Sequence, residues 1–154
     1  MPQTNCITVT QVANWITEPF KYQYTIQFPS SYEGIGMAGF EGNIFRKTRT
    51  DNQVNFSYSF CSPVYCEDFG SSLISPIPDS FSVYVNNVGI FFDQKKEFCS
   101  NGEIEGIFYH TSTASAQGLY YMRRDTNFLQ GLNVEFEISE LTEVENILKT
   151  IQEE

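Results

Sequence analysis

From Val54 to Phe60 the chain alternates without a break. Val54, Phe56, Tyr58 and Phe60 fall on one face, and Asn55, Ser57 and Ser59 on the other. Successive side chains of a strand point to opposite faces, so this period of two predicts a β-strand with one buried and one wet side. The stretch ahead of it ends in Arg46-Lys47-Thr48-Arg49, which carries three of the nine Lys and Arg residues. Thr50-Asp51-Asn52 between the two is turn chemistry, so the pair reads as a hairpin.

The same period recurs along the chain. Phe20 to Phe28 alternates cleanly and reads as one strand ended by Pro29. Phe81–Val85 and Val88–Phe92 flank Asn86-Asn87, a pair suited to the positive φ angles of a type I′ turn. Asp93 to Lys96 reads as a polar connection, and Ser100-Asn101-Gly102 as a turn joining Glu97–Cys99 to Glu103–Tyr109. Thr111 to Gln117 reads as a small-residue loop. Leu119–Arg123 and Phe128–Ile138 pair around Asp125-Thr126-Asn127. Cys61 to Ser80, with three of the six prolines, reads as an irregular excursion.

Near the end the period changes. Leu141, Val144, Leu148 and Ile151 recur at three- and four-residue spacing, predicting an amphipathic helix over 140–153. Thr142 and Glu145 fit a capping box at its start. So short a helix must dock to be stable, most simply on its own sheet. With 154 residues, 16% of them aromatic, the chain reads as a single domain over 1–154. The expected fold is mainly β: an antiparallel β-sandwich or partly closed barrel of roughly 8–10 short strands with one C-terminal helix.

Charge narrows the partners. The formal net charge is −10, and from Glu135 onward seven acids stand against Lys149 alone. Such a chain has no general attraction for phosphate backbones, so nucleic acid is not expected as a partner. No run approaches the ~18 apolar residues of a membrane span, and no basic segment opens a signal peptide. A soluble protein with no membrane partner is expected, and its four cysteines as reduced thiols. No CxxC pair suggests zinc, and no cofactor is expected.

Catalytic groups are sparse. His110 is the only histidine, conceivable as a base beside Cys61, Cys66 or Cys99. Glu103 and Glu105 on one strand face could serve a hydrolase, although a wet sheet face explains them more simply. Gly34 to Gly39 spells G-x-G-x-x-G without the βαβ setting that dinucleotide binding needs. Basic spots in an acidic protein can dock a neighbour's acidic surface. The candidate partner contacts are therefore Arg46, Lys47, Arg49, Arg123 and Arg124, with Leu148 and Ile151 on the helix.

Two stretches carry a resemblance. They are Gly39-Phe40 through Arg46-Lys47 running into the next strand, and Gln117-Gly118-Leu119-Tyr120-Tyr121 followed by Leu129–Val134. Together they resemble the opening and closing hairpins of small β-sandwich modules in phage baseplate and tail-attachment proteins. The resemblance implies a non-enzymatic virion component, in the tail, neck, baseplate or capsid decoration. It would act by protein–protein contacts in a multi-copy assembly, as a homo-oligomer or bound to other virion proteins. The alternative is a small β-barrel whose inward Phe and Tyr side chains hold an apolar small molecule.

Overall fold

The computed structural model describes residues 6–21, 24–34, 44–59, 72–73, 78–85, 87–124 and 127–153. The described strands run β1 (Ile7–Thr8), β2 (Ile16–Lys21), β3 (Tyr24–Phe28), β4 (Tyr32–Glu33), β5 (Ile44–Arg49), β6 (Val54–Ser59) and β7 (Ser72–Leu73). They continue through β8 (Phe81–Val85), β9 (Val88–Phe92), β10 (Gln94–Ser100), β11 (Glu103–His110), β12 (Ser115–Arg124) and β13 (Asn127–Glu137). A 3₁₀ turn, helix α1 (Leu141–Leu148) and β14 (Gln152–Glu153) follow. Four of these strands are two-residue pieces; of the other ten, β2 has no counterpart in the alternation, and β12 and β13 run to 10 and 11 residues.

The architecture is sandwich-like and mainly antiparallel. A large sheet has the order β1-β10-β11-β12-β13-β6-β5-β4, with β7 also on β13. A small sheet, β14-β3-β2, covers one face of it, and the β8–β9 hairpin covers part of the other. Among the described residues β1 and β4 do not pair, so the large sheet is not a closed barrel.

Alternation gives this sheet two apolar faces. Phe56, Phe108, Tyr120, Leu132 and Val134 meet Ile26 and Phe28 of β3 and Val144, Ile147 and Leu148 of α1. Those helix side chains are fully buried. At about 1.5–3 kcal/mol each, their burial holds an eight-residue helix that could not persist alone. On the opposite face Ile107, Tyr109, Leu119 and Tyr121 meet Phe81 and Phe92 of the hairpin. β13 serves both cores through a bulge: Tyr120 pairs Leu132 but Tyr121 pairs Gln130, leaving Gly131 over. Below the bulge Phe128 therefore joins the second core, while Leu132 above it joins the first.

Several expectations change. Phe20–Phe28 is not one strand: β2 folds back on β3, with Ile16 opposite Phe28 and Lys21 opposite Tyr24. Pro19 is tolerated because β2 lies at the edge of its sheet. Gln94 to Lys96 is not a connection but the start of β10, with Gln94 opposite His110. Ser115 to Gln117 likewise begins β12. The helix stops at Leu148, because the chain turns and pairs Gln152 with Thr25 of β3. It starts at Leu141, so Thr142 sits inside its first turn, and no capping box forms at Glu140, the N-cap.

The cysteines also depart from expectation. Cys6 and Cys99 form a disulfide, where reduced thiols were expected. Parallel pairing of β1 with β10 sets Thr8 opposite Cys99 and leaves the two cysteine Cα atoms 5.8 Å apart, within bridging range. Cys61, Cys66 and most of the G-x-G-x-x-G run lie outside the described residues. Among the described residues, no helix is long and apolar enough to cross a membrane.

Candidate functional site

Strand parity decides the role of the basic run. Lys47 lies opposite Phe56 in the β5–β6 ladder, so Lys47 and Arg49 share the core-facing side at the sheet margin. Only Arg46, on the other side, is exposed. Lys47 Nζ is 2.8 Å from Glu18 Oε2 of β2, joining the two sheets. Arg49 Nη1 lies 2.8 Å from Glu140 Oε1 and 3.1 Å from Glu143 Oε1, and its Nε and Nη2 donate to both carboxylate oxygens of Asp51. These hydrogen bonds, to Asp51 first and Glu140 next, raise the guanidinium pKa above its ordinary value. The Tyr32 hydroxyl donates to Glu143 Oε2 at 2.6 Å; burial, and then that bond, push the phenol pKa well up. Lys47 and Arg49 are thus internal clamps and not the open partner contacts expected of them.

The other candidates divide similarly. Arg123 Nη2 is 2.8 Å from Glu103 Oε1 and its Nε donates to the Ile104 carbonyl, tying β12 to the start of β11. Leu148 and Ile151, expected as partner contacts, are 0% and 3% exposed and belong to the first core. The side chain of Arg124 lies outside the described residues.

The catalytic candidates are not brought together. His110 is buried, its ring centroid 5.3 Å from that of Phe108 and 5.7 Å from that of Phe136, and its Nδ1 is 2.6 Å from the Thr111 carbonyl. A carbonyl can only accept, so Nδ1 carries the proton. Cys99 is bridged to Cys6 and lies at the opposite end of the β10–β11 ladder. Ser112 Oγ donates directly to Asp93 Oδ2 at 3.0 Å, bypassing the imidazole. Glu103 is engaged by Arg123, while Glu105 is the extra residue of a bulge that breaks the alternation expected to align the pair. Among the described residues no group of three or more His, Cys, Asp and Glu side chains could hold a metal ion.

His110 has instead a stability signature. Burial lowers its pKa below 6.5; Asp93 and the Thr111 carbonyl bond pull it up, and Lys96 pushes it down. The unfolded chain therefore takes the proton first as pH falls, so the contribution of His110 to folding stability is constant above about pH 6.5 and declines below it. Glu145, raised above 4.5 by burial, acts with the opposite sign, losing stability as pH rises through that lower window. Urea unfolding across this range should show the decline, and His110→Gln should abolish the part that begins near pH 6.5. An unchanged pH profile in the variant would assign it elsewhere.

Beyond the hairpin, the second face of the large sheet stays wet. Gln117 of β12, Glu135 of β13 and Asn55 of β6 are direct cross-strand partners and form a polar row. A parallel row is Leu119, Asn133 and Ser57, and on the other side Ser115 faces Glu137. Neighbours stand about 4.8 Å apart across strands and about 6.6 Å apart along them. Two adjoining depressions of about 210 and 180 Å³ open over these rows, sharing Gln117 and Glu135. Phe92 and Leu119 line the second of them. Thr48 Oγ1 donates to Asn55 Oδ1 at 2.7 Å, which turns the amide nitrogen toward Glu135 Oε1 at 3.5 Å.

Beside this groove, the β8–β9 ribbon is paired only with itself among the described residues. Phe92 and Phe81 point down to the second core, but Phe91 is 55% and Val88 62% exposed. The wet face of Asn55 and Ser57 was legible in the alternation of β6. Its juxtaposition with Glu135 and Gln117 was not, because it depends on β13 pairing with β6. Compared with known proteins, the chain matches no family model, no curated protein and no solved structure.

Proposed function

We propose that this chain is a non-enzymatic structural and interaction protein, a phage virion component acting by protein–protein contacts in a multi-copy assembly. The β8–β9 ribbon carries the reading. Its outer edges are unpaired among the described residues, and it presents Phe91 and Val88 to solvent. An open strand edge is a template for another chain's strand, and an exposed aromatic beside it supplies an anchor. The two hairpins that resemble phage attachment modules also support it: β12–β13 and β5–β6 lie side by side in the large sheet.

The test is self-association. Native mass spectrometry and sedimentation at high concentration should give a defined oligomer, and Phe91→Glu should weaken it by about 2 kcal/mol, roughly thirtyfold. The variant side chain is exposed, so the thermal midpoint should hold. A strictly monomeric parent protein that also fails to bind virion proteins would overturn the reading.

A further inference from the structure

We propose that the wet face of the large sheet is a carbohydrate-binding groove, with Gln117, Glu135 and Asn55 as its central row. The inference is independent of the assembly reading, since it uses a different surface.

Hydrogen-bonding chemistry selects the ligand. The groove floor mixes amides, hydroxyls and carboxylates: Gln117 and Asn55, Ser57 and Ser115, Glu135 and Glu137. Each amide offers both donors and acceptors, and each carboxylate offers only acceptors. A sugar hydroxyl both donates and accepts, so a polyol can satisfy such a mixed array without leaving a partner unpaired. An anion fits poorly beside Glu135 and Glu137. An ammonium or guanidinium only donates, so it would leave the Gln117 amide N–H groups without an acceptor.

Orientation and shape point the same way. Thr48 fixes Asn55, and Asn55 in turn makes one long contact to Glu135. A carboxylate has about four lone-pair sites, so Glu135 keeps most of its accepting capacity at the centre of the row. The depressions are each smaller than the ~300 Å³ lower range of drug-sized pockets. They adjoin through Gln117 and Glu135, as two neighbouring units of one chain would require.

The experiment is saturation-transfer difference NMR on the intact protein, with millimolar neutral oligosaccharides of glucose, galactose, mannose and N-acetylglucosamine. The expected result is transfer to at least one of them, with shifts of the Asn55 and Gln117 side-chain amide signals. Gln117→Ala and Glu135→Ala should each weaken binding about tenfold. Both positions are exposed, so circular dichroism and the thermal midpoint should stay unchanged. Phe91→Glu should leave sugar binding intact, which separates this site from the assembly surface. The inference is overturned by no transfer to any sugar of the panel, by binding that ignores both groove variants, or by groove amides that shift only on self-association.

Discussion

Gly118→Val is expected to destabilise the fold by about 3 kcal/mol or more, at the upper end of what overpacking costs. Gly118 lies on the first-core side of β12, and a Cβ there would run into the ring of Phe108 and the Tyr109 carbonyl oxygen, the latter at 3.1 Å. Neither can yield easily. Phe108 is fully buried and pressed between His110 and Phe136, and the carbonyl belongs to the next strand. Valine adds two methyl groups to that overlap. Urea denaturation would read the loss, and a double-mutant cycle would locate it. Phe108→Leu should recover part of the stability in the Gly118→Val background while costing stability in the parent. Strict additivity would show that the ring is not what excludes a side chain.

The second large effect is expected from the disulfide. Cys6–Cys99 joins residues 93 positions apart, so it constrains most of the unfolded chain. Cys99→Ser should cost about 2–4 kcal/mol, somewhat below the entropic limit of about 4.6 kcal/mol for so long a loop. For a chain of this size that is a fall in thermal midpoint of roughly 4–16 °C. Cys6→Ser should match it, and the double variant should add nothing, because each removes the same bond. Reductant should lower the midpoint of the parent and leave Cys99→Ser where it is. A single variant as stable as the parent would mean that β1 is held by its ladder alone.

How much of this was legible depends on the range over which each feature is determined. The alternation of Val54–Ser57 carried over directly, since Val54 and Phe56 are fully buried and Asn55 and Ser57 are half-buried. Asn101-Gly102 carried over too, as both adopt the positive φ that their turn needs. The role of the basic run is set by parity, which its composition does not show: Lys47 and Arg49 sit two apart, and β5 turns both toward acids of β2 and of the start of α1. The alternation within Phe20–Phe28 does not mark a wet face in β3, where Thr25 and Gln27 are buried as well as Tyr24, Ile26 and Phe28, and it could not reveal that β2 doubles back on β3. The disulfide, the groove and the burial of Ile151 all follow from pairings between distant segments. No local pattern records those.

The order of the large sheet has a consequence in time. β10, β11, β12 and β13 form a meander whose ladders join near neighbours, so this part can assemble early. The ladder from β13 to β6, which sets Val134 opposite Phe56, must instead close across the whole middle of the chain. Loop closure of that length comes before its contacts reward it, so β5–β6 is a late arrival. Until it docks, the meander exposes the open edge of β13, including the backbone between Asn133 and Phe136. That edge is the segment most exposed to wrong pairing with another chain during folding, and it lies buried within the finished sheet.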